Sequence, residues 1–331
     1  MPEQPEVPVA GLAYMDRNLA LEAMRVTEAA ALAAAAFVGK GDDRAADLAA
    51  VQAAHGALNG LAINGIIVLG ERDSPLLFPG ERLGIGVGPQ VDIAIDPLEG
   101  NTITAKGGAN ALSIVAIAEA GSFLVPHTAY MDKLIVGPGL PADVVDLDRP
   151  VADNLHHLAQ AKGVKVSDLL VYMLDRPRHQ ALMAEVRKAG ARVMLILDGD
   201  VAAGIATCDT EAGIDLFIGR GGAAEGVLTA AALRCIGGQM QGRLVQSAEA
   251  PRGWAMGAAG DRIYTVAELA RGDVMFAATG VTDSAMLKGV RRCMGGAITN
   301  SLVMRSKSGT VRRVQAHHDF THKADYGLRG C

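Results

Sequence analysis

The sequence predicts an α/β protein. Helical and strand-like segments alternate from about residue 151 onward, and short apolar runs typical of strands follow two helices in the N-terminal half. Polar or glycine-rich residues come directly after several of these runs, as at Asp96-Pro97 and at Gly219-Arg220-Gly221-Gly222. Because α/β folds assemble their ligand sites at strand ends, these positions are the first candidates for chemistry.

The N-terminal half begins with two predicted helices. Residues 1–14 carry several prolines and are expected to form a flexible leader. Good helix formers fill residues 15–38, which Gly39-Lys40-Gly41 ends, and a second helix is expected over 43–58. Strands are then predicted at 66–69, 91–95, 111–118 and 134–136.

The C-terminal half alternates between the two kinds of element. Helices are predicted at 151–162, 179–189 and 223–236, and strands at 169–174, 193–197 and 214–218. The glycine-rich stretch from Gln239 to Asp261 is expected to be a loop, and closing strands are expected at 274–278 and 297–314. The length of 331 residues fits two units. We therefore expect subdomains over 15–150 and 151–331.

Composition excludes several classes of protein. Half of the residues are hydrophobic and the net charge is −5, so no basic surface indicates binding to nucleic acid. No apolar run approaches the roughly 20 residues that span a bilayer, and no signal peptide is recognisable, so we expect a cytoplasmic protein. The four cysteines form no CxxC pair and lack zinc-ligand spacing.

The sharpest motif is Asp96-Pro97-Leu98-Glu99-Gly100-Asn101-Thr102. Two carboxylates lie three residues apart just after a predicted strand, and a turn there can direct both to one point. The amides after Glu99 can face a phosphate. Magnesium prefers carboxylate and phosphate oxygens, and paired ions stabilise the attacking and leaving oxygens of phosphoryl transfer. The plainer interpretation is a surface turn with solvated acids.

The sequence resembles the class II (GlpX-type) fructose-1,6-bisphosphatases. The resemblance runs from about Met15 to the mid-320s and consists of ordered blocks at similar spacing. The blocks are residues 91–100 continuing through 106–113, residues 129–138, Arg176-Pro177-Arg178-His179, residues 198–202 and residues 221–226. The resemblance implies an αβαβα sandwich of the sugar phosphatase type, with a metal-binding N-terminal subdomain and a sugar-phosphate-binding C-terminal subdomain. It also implies a site for Mg²⁺ or Mn²⁺.

Roles carried over by position form three groups. The implied metal ligands are Asp47, Glu71, Asp96, Glu99 and Glu225. The implied substrate-binding residues are Glu99, Gly100, Asn101, Tyr130, Arg176, Pro177, Arg178, Asp198, Gly199, Asp200 and Gly222. The implied catalytic residues are Asp73, Asn101 and Thr102, with Asp73 helping to activate the attacking water.

Several of these residues also have a plainer interpretation. Asp47 and the arginines are then solvated surface residues, and Tyr130 is a packed core tyrosine. Glu225 is then a favourable charge at a helix N-terminus, and Asp73 a turn residue. Histidines are not expected to catalyse, because the adjacent pairs at 156–157 and 317–318 face different directions.

The sequence departs from the family pattern at three places near the expected site. The loop Gly70-Glu71-Arg72-Asp73-Ser74-Pro75-Leu76-Leu77 is shorter and less acidic than usual. Asp43 replaces a common lysine, and Asn101 replaces a common threonine. An asparagine amide is a poor proton relay.

The expected reaction is hydrolysis of the 1-phosphate of fructose 1,6-bisphosphate, with sedoheptulose 1,7-bisphosphate as a second substrate. The alternatives are a phosphatase for another sugar or inositol phosphate, and a sugar-phosphate-binding paralogue with weakened catalysis. We expect a homo-oligomer, either a dimer or a tetramer.

Overall fold

The computed structural model describes residues 11–245 and 262–322. Within these residues the chain forms eight helices and fourteen strands. The helices are α1 (Gly11–Ala35), α2 (Asp43–Asn59), α3 (Asn101–Lys106), α4 (Val151–Lys162), α5 (Gln180–Lys188), α6 (Asp200–Ala206), α7 (Ala223–Ile236) and α8 (Val266–Leu269). The strands are β1 (Asn64–Leu69), β2 (Arg82–Leu83), β3 (Gln90–Glu99), β4 (Leu112–Glu119), β5 (Tyr130–Val136), β6 (Leu170–Leu174), β7 (Arg192–Ile196), β8 (Leu216–Gly222), β9 (Gln239–Val245), β10 (Ile263–Thr265), β11 (Val274–Gly280), β12 (Arg291–Cys293), β13 (Gly296–Arg305) and β14 (Thr310–Asp319).

The strands form two mixed sheets. The first has eight strands in the order β12-β13-β11-β4-β3-β1-β2, with β14 paired to β13. The second has six strands in the order β10-β9-β5-β8-β6-β7. Strands β1 and β3 are parallel, as are β6 and its neighbours β7 and β8, whereas the other pairs are antiparallel.

Three apolar cores hold five layers together, and one of them surrounds the central helical layer. Helices α1 and α2 pack on the outer face of the first sheet. Helices α6 and α7 lie between the two sheets, and α7 contacts both. Helices α4 and α5 cover the outer face of the second sheet. The layers therefore run αβαβα, which confirms the predicted fold class.

Helix α7 shows why the central layer fits. Its sequence AAEGVLTAAALRCI is apolar on nearly every face and most of its residues are buried. A helix that is apolar all round is stable only when it is covered on all sides. Small residues let both sheets approach it closely, so α7 packs against both of them.

Buried hydrogen bonds fix α1 to the first sheet. The Thr27 and Thr279 hydroxyls lie 2.7 Å apart, and Thr279 and Ser301 continue the chain at 2.8 Å. Thr299 donates to Glu28 at 3.0 Å and also contacts the His318 ring. Each polar group that the sheet buries here has a partner, as burial requires.

The structure corrects some predicted boundaries. Helix α1 begins at Gly11, so residues 11–14, predicted as part of the leader, are helical. The stretch 239–245, predicted as loop, is strand β9, because QMQGRLV pairs with β5 along its whole length. The rest of that predicted loop, 246–261, lies outside the described residues, as do 1–10 and 323–331.

The sheets do not divide where the subdomain boundary at residue 150 is predicted. Strand β5 lies before that point but belongs to the second sheet. Strands β11 to β14 lie far after it but belong to the first. Among the described residues, no helix is both long and apolar enough to cross a membrane.

Candidate active site

Seven carboxylates of the described chain line one cavity of about 280 Å³. The cavity lies where strand ends of the first sheet meet the N-termini of α6 and α7. The acidic lining residues are Asp47, Glu71, Asp96, Glu99, Asp198, Asp200 and Glu225. All five predicted metal ligands are among them, so acids spread over nearly 180 residues of sequence share one space.

A break in strand pairing directs two of these acids to the cavity. The β3–β4 register shifts between Asp96 and Glu99. Pro97, which has no N–H to offer a neighbouring strand, lies inside this irregularity. Leu98 donates its backbone N–H to Asp96 Oδ1 at 3.1 Å and holds the turn. Such bulges re-aim side chains beside active sites, which explains how both carboxylates reach one cavity.

Glu99 also joins the two halves of the site. Its Oε1 accepts the backbone N–H of Val201 at 2.8 Å, in the first turn of α6. A helix N-terminus favours such a negative charge. The other oxygen, Oε2, is buried and accepts no hydrogen bond from any described residue. An unsatisfied carboxylate oxygen facing other acids is the kind of donor that a cation would satisfy.

The carboxylates repel one another. Burial, followed by repulsion from Asp47, Glu225 and Asp73, raises the pKa of Glu71 to about 7. Burial, followed by repulsion from Glu225, Glu71 and Asp47, holds the pKa of Asp96 well above its usual range. The pKa values of Asp47, Glu99, Asp198 and Glu225 are also raised, in each case mainly by burial. A bound cation would relieve this repulsion.

One buried lysine offsets part of the negative charge. Lys133 on β5 is fully buried, and its Nζ donates to Asp200 Oδ2 at 2.5 Å. The same ammonium lowers the pKa of Glu225, against the larger effect of burial. Nothing in the sequence marks Lys133 for this role, because a lysine on a strand is usually solvated.

Two glycines leave the room that these acids occupy. A Cβ at Gly221 would lie 2.1 Å from Asp200 Oδ2, and one at Gly222 would lie 1.8 Å from Glu225 Oε2. Both distances are far inside van der Waals contact, so any side chain there would displace a carboxylate. Backbones at both glycines pair with β5, at Met131 and Tyr130. Space for carboxylates therefore explains these glycines.

Arginines gather at one side of the cavity. Arg176 lies 4.0 Å from Asp198, which lines the cavity. Arg178 donates through Nε and Nη2 to the backbone carbonyl of Arg220, at 3.3 and 2.9 Å. Burial, together with the charges of Arg176 and Arg220, lowers the pKa of Arg178. Cations that repel one another beside an open cavity are suited to bind a phosphate group.

His179 positions this cluster and does not face the carboxylates. Its ring is buried, with Nδ1 2.8 Å from the Leu174 carbonyl. Its Nε2 accepts the backbone N–H of Arg220 at 2.9 Å. Burial lowers the pKa of His179, which favours the neutral ring that these two bonds require.

Comparison with known proteins places this chain in a family. The sequence pattern described as "Bacterial fructose-1,6-bisphosphatase, glpX-encoded" matches residues 17–318. The chain belongs to this family. It is 44% identical over 328 residues to fructose-1,6-bisphosphatase 1 class 2 of Escherichia coli strain K12, covering 93% of this chain and 97% of the relative. The class 2 fructose-1,6-bisphosphatases of Escherichia coli O6:H1 and Shigella flexneri match equally well, with the same identity and coverage.

The donor set of this glpX-type fructose-1,6-bisphosphatase family member fits hard divalent cations. The cavity supplies only oxygen ligands of high negative charge, and the buried Oε2 of Glu99 has no hydrogen-bond donor among the described residues. Within 11–245 and 262–322, no three His, Cys, Asp or Glu side chains yet form a ready-made metal site.

The other predicted residues fall into three positions. Gly100, Asn101, Asp198 and Asp200 line the cavity with the predicted metal ligands. Tyr130, Arg176, Pro177, Arg178, Gly199 and Gly222 lie outside its lining, most of them on the arginine side. Asp73 and Thr102 are exposed and also lie outside the lining, although Asp73 is close enough to raise the pKa of Glu71.

Proposed function

We propose that this chain hydrolyses the 1-phosphate of fructose 1,6-bisphosphate, using divalent cations held by Asp47, Glu71, Asp96, Glu99 and Glu225. The observation that carries the proposal is the convergence of seven carboxylates on one cavity with an arginine cluster at its side. A bisphosphate needs both features, because one phosphate reacts and the other is held. Family membership supports the same reaction.

The carboxylate end is the reacting end. When bound, Mg²⁺ or Mn²⁺ polarises a phosphoryl oxygen and lowers the pKa of water. Asp73, exposed on the loop after β1, takes the proton of the attacking water. The Asn101 Oδ1 accepts the Thr102 backbone N–H at 2.7 Å, so its carboxamide NH₂ serves as the donor to substrate or water. That group orients the water or a phosphoryl oxygen, and the Thr102 hydroxyl supports it.

The arginine end holds the phosphate that does not react. Two bonds to the Arg220 carbonyl fix the guanidinium of Arg178 before substrate arrives. Arg220 is itself held by Asp132, through Nε at 2.6 Å. Because these side chains are already held in place, binding a phosphate there costs little conformational entropy. This end therefore contributes mainly to affinity. Tyr130 lies close enough to Arg178 to affect its pKa. In this proposal Tyr130 contacts the sugar, and the carboxylates of Asp198 and Asp200 accept hydrogen bonds from the sugar hydroxyls.

The test is a panel of substrates with Mn²⁺ or Mg²⁺, scored by phosphate release. We expect turnover of fructose 1,6-bisphosphate, with fructose 6-phosphate as the product, and slower turnover of sedoheptulose 1,7-bisphosphate. Release from an inositol phosphate but not from fructose 1,6-bisphosphate would favour a different phosphatase. Tight binding of fructose 1,6-bisphosphate without phosphate release would favour a binding paralogue.

A matched pair of variants locates the chemistry on β3. Asp96→Asn should abolish turnover, because it removes a charge from the cavity. Asp92→Asn on the same strand should keep turnover, since Asp92 is buried away from the cavity and accepts the Gly121 N–H at 2.7 Å. Equal loss in both variants would mean that strand integrity, and not the cavity acid, is being measured.

A further inference from the structure

Leu77 adopts a backbone conformation that leucine rarely takes. Its φ is 59°, and within residues 11–245 and 262–322 Asn110 is the other non-glycine residue with a positive φ. Asparagine tolerates the left-handed region because its short polar side chain bonds locally, whereas leucine has no such compensation. The Leu77 side chain is fully buried in the core that α2 shares with the first sheet. Contacts around Leu77 must therefore hold it in this conformation.

One carboxylate provides the holding contact. Glu81 Oε2 accepts the Leu77 backbone N–H at 2.5 Å, and Glu81 Oε1 lies 3.1 Å from His55 Nε2 on α2. The Glu81 backbone is itself fixed, because its carbonyl accepts the Ile67 N–H of β1 at 2.9 Å. The Glu81 side chain is 15% exposed, so its hydrogen bonds are largely shielded from water. Glu81 thus joins the end of this loop to both β1 and α2.

The carbonyl of Leu77 contacts the backbone of Glu71. It accepts the Glu71 N–H at 2.9 Å. It also lies so close to Gly70 that a Cβ there would be 2.1 Å from the Leu77 oxygen. The conformation of Leu77 therefore fixes the backbone on which the Glu71 carboxylate stands. The hydrogen bond closes the loop from Glu71 to Leu77, and Asp73 lies within this closed loop.

We propose that Glu81 is a positioning residue for the candidate active site and acts through Leu77 on Glu71. Glu81 keeps Leu77 in the left-handed conformation, and the Leu77 carbonyl in turn holds the backbone of a predicted metal ligand. Glu81 does not line the carboxylate cavity, so its effect on a bound cation passes through the loop. The inference rests on the proposed function and deepens it, because it names what holds the Glu71 end of the site in place.

The same carboxylate connects two of the predicted metal ligands. His55 and Asp47 both lie on α2, and Asp47 is close enough to Glu71 to raise its pKa. The contact of Glu81 with His55 therefore fixes the loop relative to the helix that supplies the second acid. An outer contact of this kind orients carboxylates that repel one another, so that they are in place when a cation arrives.

The experiment measures the Mn²⁺ dissociation constant by isothermal titration calorimetry on the full chain without substrate. Glu81→Ala should weaken Mn²⁺ binding about 10-fold, the lower end of what outer-shell partners of metal ligands contribute. Glu81→Gln should bind nearly as tightly as the wild type, because its oxygen still accepts the Leu77 N–H and its NH₂ still donates to the His55 ring. Both variants remove the charge, so the pair separates the hydrogen bonds from the charge.

Leucine variants test the backbone step. Leu77→Ile keeps the apolar volume, but a β-branched residue disfavours a positive φ, so Leu77→Ile should weaken Mn²⁺ binding as Glu81→Ala does. Leu83→Ile makes the same change at a buried leucine of β2, where a β-branched residue suits the strand, and should leave binding unchanged. Glu268→Ala is the matched carboxylate control, because Glu268 also accepts a backbone N–H, that of Thr265, away from the cavity. Circular dichroism checks that each variant folds.

Kinetics at saturating Mn²⁺ separate positioning from general damage. Glu81→Ala should lower kcat, because the loop also carries Asp73. It should leave KM for fructose 1,6-bisphosphate nearly unchanged, because the arginine side binds the phosphate that does not react.

The outcomes distinguish the inference from the proposed function. Equal Mn²⁺ affinity of Glu81→Ala and the wild type, or equal losses in Glu81→Ala and Glu81→Gln, would overturn the inference alone. The leucine pair decides if Glu81→Ala does not fold, because an unchanged Mn²⁺ affinity in Leu77→Ile would also overturn it. A wild type that binds no Mn²⁺ would overturn the proposed function, and the inference with it.

Discussion

Replacing Lys133 with methionine tests whether the site depends on a buried cation. Methionine keeps the length and apolar volume of the side chain but leaves the Asp200 carboxylate without its ammonium partner. Removing one member of a buried ion pair costs about 3–5 kcal/mol. At about 2.1 cal/mol/K per residue, a chain of 331 residues has an unfolding entropy of about 0.7 kcal/mol/K. Lys133→Met should therefore lower the Tm by about 4–7 °C.

The assay is thermal unfolding by calorimetry, with phosphate release measured on the same samples. Lys162→Met is the matched control, because Lys162 pairs with Asp215 but is 34% exposed. An exposed pair contributes about 0–1 kcal/mol, so this control should melt within about 2 °C of the wild type. Adding Asp200→Asn to Lys133→Met should restore part of the stability without restoring activity. Equal melting temperatures of Lys133→Met and the wild type would refute the reasoning.

The remaining predictions address affinity, pH and thiol reactivity. Arg178→Ala should raise KM more than it lowers kcat in steady-state kinetics, because the phosphate it binds is held in both ground and transition states; an effect on kcat alone would contradict this role. The pKa of Glu71 rises from 4.5 to about 7 on folding, so the folded protein holds a proton there that the unfolded chain has lost. Stability of the cation-free protein should fall as pH rises through that window, and Glu71→Gln should flatten melting curves recorded in EDTA across it. Burial raises the pKa of Cys235 to about 12. Peptide-resolved alkylation near pH 8 should therefore label exposed Cys293 and spare Cys235 until the protein unfolds. Rapid labelling of Cys235 in the native protein would contradict its burial.

Much of the fold follows from local pattern. Apolar runs bounded by glycine or aspartate predict β1, β3 and β6. Both signals, the apolar run and the residue that ends it, lie within a few residues of each other in the sequence. Strand β9 was missed because QMQGRLV is weakly apolar and precedes a glycine-rich stretch. Its pairing with β5 is a contact over about a hundred residues, which local pattern does not contain.

The candidate site was predicted in the same uneven way. Carboxylates at strand ends are visible in sequence, so Asp96 and Glu99 stand out without a structure. Lys133 does not, because its burial depends on Asp200, 67 residues later. The role of Gly222 cannot be read from the sequence either, since a side chain there would occupy the space that the Glu225 carboxylate takes. Whether Asp73 and Thr102 act in catalysis stays a prediction.

The order of strands in the first sheet has a consequence for synthesis of the protein. Strand β4 is paired on one side by β11, which leaves the ribosome roughly 150 residues later. At typical elongation rates that interval lasts on the order of 8–30 s. Throughout it, a largely apolar strand has an unpaired side next to other nascent chains. Yield in a cell should therefore depend on chaperone supply more steeply than the melting temperature of the finished molecule implies.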